Sequence, residues 1–163
     1  MITLKNFERT PHLAELKLSY RRGRPKGVKR EDSPFFVGSS MSCEKYLRTV
    51  WDKDTLELRE EFVVLCLNGA HEVLGWVRLH TGGYNKIPVD IRMVLAVALL
   101  TASTAIIVAH NHPSGSLKPS PEDILLTNGL KEAGDLIGLR VLDHLILTRD
   151  NYFSFSESGL LLK

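Results

Sequence analysis

Residues 110–123, HNHPSGSLKPSPED, place two histidines one residue apart and follow them with a serine and an aspartate. Imidazoles and carboxylates ligate metals and move protons, so their geometry decides what they do. The preceding TAIIVAH reads as a buried strand, and residues two apart in a strand share a face. His110 and His112 therefore turn toward one point while Asn111 turns away, and Pro113 ends regular pairing. Ser120 followed by Pro121 reads as a helix N-cap with proline at the first helical position. Asp123 then falls in the first helical turn, seven loop residues and a cap beyond the histidines. Two neutral imidazoles and one carboxylate, with a fourth position open, form a donor set suited to a catalytic zinc. Two plainer readings stand beside it: a hydrogen-bonded histidine pair, and a serine and an acid that do no more than cap a helix.

The elements that would position these groups are legible in the hydrophobic pattern. EFVVLCL has strand length, NG at 68 and 69 signals a hairpin, and EVLGWVRLH fits the returning strand. TGGYN breaks the pattern; Pro88 and Asp90 then open IRMVLAVALLTAS, read as a largely buried helix. PEDILLTNGLKEAGDLIG is a second helix ending near Gly138, LRVLDHLILT a further strand, and YFSFS a short last one. Upstream, SSMSCEKYLRTVWDK groups Met41, Tyr46, Leu47, Val50 and Trp51 near one helical face, with serines available to cap it. Interspersed strands and helices with at least one hairpin predict an α/β fold, a mixed β-sheet flanked by helices.

The chain of 163 residues is long enough for one domain with its own core plus an extension. Residues 1–40 are expected to form an N-terminal extension and residues 41–163 the main domain. The longest apolar run, residues 94–100 and the small residues after it, contains Thr101, Ser103 and Thr104 and falls short of the ~20 apolar residues of a membrane span. MITLKNFERT lacks the basic start and apolar core of a secretory signal. Cys43 and Cys66 are too few for a disulfide framework and lie in apolar patterns, which suits buried thiols in a cytoplasmic protein. Residues 17–30, KLSYRRGRPKGVKR, carry seven basic residues and no acid, interrupted by glycine and proline as in an exposed arm.

The 110–123 stretch matches the JAMM (MPN-plus) metalloprotease signature throughout: two histidines one apart, seven residues, serine, two residues, aspartate. With VLDHLILT after it and WDKDTLELREEFVVLCLNGAHEVLG before it, the chain from about residue 51 onward resembles the RadC-like branch of that superfamily. Residues 1–40 resemble the shorter, mobile-element members only loosely, with no helix-hairpin-helix pair of the kind that precedes the domain in longer ones. The resemblance implies a cytidine-deaminase-like JAB/MPN sandwich with Zn²⁺ on His110, His112 and Asp123. It also implies hydrolysis of peptide or isopeptide bonds by a metal-activated water. It aligns the glutamate that directly precedes Phe62 with the general base, which gives that role to Glu61, with Glu60 as the alternative. Ser120 would hydrogen-bond the developing oxyanion rather than act as a nucleophile.

Other polar residues carry less. Asp143 and His144, adjacent in a strand, point to opposite faces; one is a candidate to orient a metal-bound histidine, against the plainer reading of a satisfied core residue. His12, His71 and His80 have no recruiting spacing. Gly115 suits a tight turn beside a ligand, and Gly82 and Gly83 read as turn punctuation. The competing function is a DNA-associated accessory role, with RadC-like proteins traditionally called DNA-repair proteins. In this reading Arg22-Gly23-Arg24-Pro25, the core of an AT-hook, enters the minor groove, and the other basic residues of 17–30 hold phosphates. A solvated arm is the plain alternative. A metal-free scaffold is a third possibility, disfavoured because a scaffold needs no complete ligand set.

Overall fold

The computed structural model describes residues 36–82 and 89–161. The basic arm with Arg22 and Arg24, as well as His12, Gly83 and Pro88, lies outside them. Among the described residues three helices and five strands follow one another as α1 (Ser40–Val50), β1 (Glu61–Leu67), β2 (Val73–Thr81), α2 (Ile91–Leu100), β3 (Ala105–Asn111), α3 (Pro121–Leu136), β4 (Arg140–Leu147) and β5 (Tyr152–Ser154). The strands form one sheet in the order β2-β1-β3-β4-β5. Only β3 and β4, joined through α3, run parallel; the other neighbours are antiparallel. This is the α/β architecture with a mixed sheet that the sequence predicts.

Every residue of β1 and β3 is buried, because helices cover both faces of the sheet. Alternation sorts their side chains. Val63, Leu65, Leu67, Ala105, Ile107 and Ala109 pack with Cys43 and Leu47 of α1. Phe62, Val64, Cys66, Ile106 and Val108 pack with Val94 and Ala98 of α2 and Leu130 of α3. The two cysteines are free and buried on opposite faces. Burial beside acidic neighbours pushes the Cys43 thiol far above its ordinary range, as expected of an inert core cysteine.

Two expectations need correction. Met41 is exposed and Cys43 takes its place on the inward face of α1, beside Leu47 and Trp51 and with Tyr46 and Val50 packed against them. In α2 only Val94 and Ala98 are buried, while Met93, Leu99 and Leu100 are exposed; an apolar composition hides a helix packed on one side. The β1–β2 hairpin signalled by NG is present and closes through residues 68–72, with Asn68 Oδ1 accepting from the amides of Ala70 and Glu72.

At Gly134 of α3 the turn into β4 passes so close that a Cβ would stand 2.5 Å from the Leu139 carbonyl oxygen. At Gly129 a Cβ would meet only the end of the Ile91 side chain, at 2.9 Å. Urea denaturation should therefore show Gly134→Ala destabilised by about 1–3 kcal/mol, since backbone cannot give way. Gly129→Ala should be near neutral, the helix-propensity gain of ~1 kcal/mol offsetting a side-chain adjustment.

Candidate metal centre

The site forms where β3 leaves the core. His110 lies opposite Phe62 of β1, on the α2/α3 face of the sheet. His112 is just past the strand end, held by its backbone N–H to the Leu147 carbonyl at 2.9 Å. Both rings turn to one side, with His110 Nε2 and His112 Nε2 2.9 Å apart. Asn111 turns to the other side as predicted, donating to the Leu56 and Arg59 carbonyls. The loop reverses through Gly115 at φ 77°, a conformation open to glycine at little cost. The Ser116 carbonyl then meets His112 Nδ1 at 2.7 Å. A carbonyl only accepts, so His112 carries its hydrogen on Nδ1 and presents a bare Nε2.

Ser120 caps α3, and Asp123 stands at its third position in a reciprocal capping box. Asp123 Oδ2 accepts from the Ser120 amide and hydroxyl, each at 2.7 Å. The carboxylate thereby faces the histidines: Oδ1 is 3.4 Å from His110 Nε2, and Oδ2 is 3.7 Å from His112 Nε2. The capping reading of Ser120 and Asp123 and the ligand reading are thus compatible. Among the described residues these three form the group able to hold a metal ion. Two donors on a tetrahedral zinc stand roughly 3.3 Å apart, and one donor atom from each of the three residues lies within 4.8 Å of the others, so one ion fits once the side chains close on it. Two nitrogens this close, at least one with its lone pair turned toward the other, call for a cation or a proton between them.

Behind His110, its Nδ1 meets His144 Nε2 at 2.8 Å, and His144 Nδ1 meets the Thr127 hydroxyl at 2.6 Å. His144 reaches this face because β4 carries a register shift opposite Ile106 and Ile107, which brings both Val141 and His144 to the α2/α3 side. Asp143 faces α1, where its carboxylate accepts from the hydroxyls of Ser40 and Ser154 and from the amide of Ser156. Of the adjacent pair, His144 is therefore the partner of a site histidine and Asp143 a satisfied structural acid. Thr127 was not singled out in the sequence, although its place four residues after Asp123 puts it on the same side of α3.

Glu61 does not reach this site. It is fully buried on the α1 side of β1, with Oε1 accepting from Arg59 Nε at 2.9 Å. Arg78 Nε approaches Oε2 at 3.0 Å, an ion pair too poorly aligned to count as a hydrogen bond. The strand period is the reason: Glu61 shares the parity of Val63, whereas Phe62 stacks on His110 with ring centroids 6.5 Å apart. Glu60, whose carbonyl accepts from the Gly82 amide, shares the parity of Phe62 and falls across from His112 when the β1–β3 register is continued. His71 lies in the β1–β2 turn and His80 on β2 opposite Phe62, and neither is among the three residues of the ligand group.

A family model described as RadC-like JAB domain matches residues 37–160. The chain belongs to that family. A UPF0758 protein of Pelobacter propionicus is 42% identical over 118 residues, covering 70% of this chain and 52% of the relative. One from Psychrobacter cryohalolentis is 45% identical over 124 residues, 76% of this chain and 53% of the relative. One from Flavobacterium johnsoniae is 42% identical over 101 residues, 62% and 44% respectively. This RadC-like JAB chain thus spans about half the length of the curated relatives it matches. Among its described residues, no helix is long and apolar enough to cross a membrane.

Burial lowers His110 from 6.5 to about 4, with His112 adding to the effect and Asp123 opposing it. Burial, with the two neighbouring histidines, also holds His144 well below its ordinary value. The unfolded chain takes up protons at these positions below pH 6.5 that the fold refuses until lower pH. Stability of the metal-free protein should therefore fall as pH drops from 6.5 toward about 4. Urea midpoints across that window measure it, and His110→Asn, which cannot titrate, should make the fall shallower.

Proposed function

We propose that this chain is a zinc-dependent hydrolase of peptide or isopeptide bonds, acting in the cytoplasm. The observation that carries the reading is the convergence of His110 Nε2, His112 Nε2 and the Asp123 carboxylate on one point at the end of β3. Zinc held by these three would supply a Lewis acid that polarises an amide carbonyl and makes water nucleophilic near neutral pH. The chain's own residues do the rest. Glu60, which shares the strand parity of Phe62, takes the proton from the attacking water and returns it to the leaving amine, so water and amide become acid and amine. It replaces Glu61, whose carboxylate is engaged by arginines on the other side of the sheet. Ser120 donates its hydroxyl hydrogen to Asp123 in the resting arrangement and must swing it to the oxyanion during the reaction. That motion leaves the Ser120 amide in place on Asp123, so the carboxylate keeps one of its two holds.

A panel of isopeptide-linked and peptide substrates with zinc-loaded protein tests this. Glu60→Gln should lower kcat by about 10²–10⁴-fold with zinc stoichiometry unchanged. Glu61→Gln should chiefly lower thermal stability, because it weakens a charged contact with two arginines. His112→Ala should lose stoichiometric zinc. An inactive wild type across the panel, or full turnover by Glu60→Gln, would contradict the assignment.

A second role rests on the seven basic residues at 17–30: binding of DNA, with Arg22 and Arg24 in the minor groove of A·T-rich duplex. Affinity should fall steeply with salt and drop for the double variant Arg22→Ala, Arg24→Ala. Equal binding of A·T-rich and G·C-rich duplexes by wild type and variant would reduce the arm to unspecific charge.

A further inference from the structure

We propose that Thr127, acting through His144, fixes the hydrogen on His110 to Nδ1 and so keeps His110 Nε2 bare for a metal. The inference deepens the metal-centre reading and rests on it for its purpose, but the proton order follows from the contacts themselves. Thr127 Oγ1 lies 2.6 Å from the Asp123 carbonyl oxygen and 2.6 Å from His144 Nδ1. Contacts that short each need a hydrogen, and the hydroxyl has one. The Asp123 carbonyl has none to give, so Thr127 donates to it and accepts from His144. The hydrogen of His144 is thereby placed on Nδ1.

The ring of His144 is fully buried, stacked on Phe155 at 4.7 Å and edge-on to Phe62 at 6.0 Å. In such surroundings an imidazole is held neutral, with one hydrogen only. Its Nε2 is then bare and can only accept, so the 2.8 Å contact takes its hydrogen from His110 Nδ1. A ligand that binds through Nε2 needs its hydrogen on Nδ1, so the metal end of the chain demands the same order as the carbonyl end. The chain runs from the backbone of Asp123 to the ring of His110, two members of one donor set, through side chains of α3 and β4. Thr127 and His144 are positioning residues: neither meets the ligand point, and both determine what His110 presents there. His112 obtains the same form independently from the Ser116 carbonyl.

The test uses ¹⁵N-histidine-labelled full chain without metal, followed by zinc alone. Long-range ¹H–¹⁵N correlations in the wild type should show His110 and His144 each protonated at Nδ1. Thr127→Val keeps the shape but cannot accept; it should yield a mixture of His110 forms and, by competition with a chromophoric chelator, about 10–100-fold weaker zinc binding. Thr127→Ser should restore both readouts. A merely structural role would lower the melting temperature of Thr127→Val without moving the tautomer signals. Hydrogen on His110 Nε2 in place of Nδ1 in the wild type, or an unchanged pattern in a folded Thr127→Val, would overturn the proposal. The wild-type spectrum alone decides the order if the variant does not fold. A wild type with the stated order that binds no zinc would instead refute the metal centre and leave the proton order standing.

Discussion

The contact between His110 Nδ1 and His144 Nε2 joins the two parallel strands at the point where the core gives way to the site. Much else depends on it. β3 is buried along its whole length, so its last residues have no water to satisfy them and must find partners within the protein. A histidine ending such a strand is tolerable only if both ring nitrogens are engaged. His144 engages one, and the ligand point engages the other. The register shift in β4 matters for this reason: without it the ring would face α1, and His110 would bury an unsatisfied nitrogen.

The sheet divides its labour by face at this end. On the α1 side Glu61, Arg59, Arg78, Asn111 and Asp143 form polar contacts that close on one another and on backbone groups. They seal the layer over α1 and leave its acids committed. On the other side His110, His112 and Asp123 converge on one point. Adjacent residues of one strand, Glu61 with Phe62 or Asp143 with His144, thus serve opposite purposes because the strand period is two. The buried Glu61 carboxylate is structural for the same reason that it is buried: its counter-charges, Arg59 and Arg78, are already in place.

The sequence made the ligand set legible because it is local: HxH needs only the strand period, and Ser120 with Asp123 needs only the capping pattern. The element order was equally readable, since EFVVLCL and AIIVAHN are continuous apolar runs that match strands buried on both faces. What escaped depended on phase or on distant pairing. The choice between Glu60 and Glu61 turns on which parity of β1 faces α3, and an uninterrupted apolar strand carries no record of that. Thr127 is an ordinary helix residue until β4 brings His144 against it. The overestimated burial of α2 has a similar origin, because Leu99 and Leu100 look like core in composition and lie on a face without cover among the described residues.

The metal reading also gives the buried histidines a thermodynamic consequence. Two nitrogens 2.9 Å apart beside a carboxylate make a donor set that costs stability while nothing cationic lies between them. A cation taken up there relieves that cost, so binding and folding are linked, and the folded state gains with the logarithm of the free metal relative to its dissociation constant. The proton order along Thr127 and His144 serves the same end, since a ring already bare at Nε2 need lose no hydrogen before it binds. Capping acts in parallel on the carboxylate: the Ser120 amide and hydroxyl hold Asp123 at the helix start before any ligand arrives. Both ligand-bearing elements are thus set by contacts that belong to the fold, and the cost of ordering the site is met during folding rather than at binding.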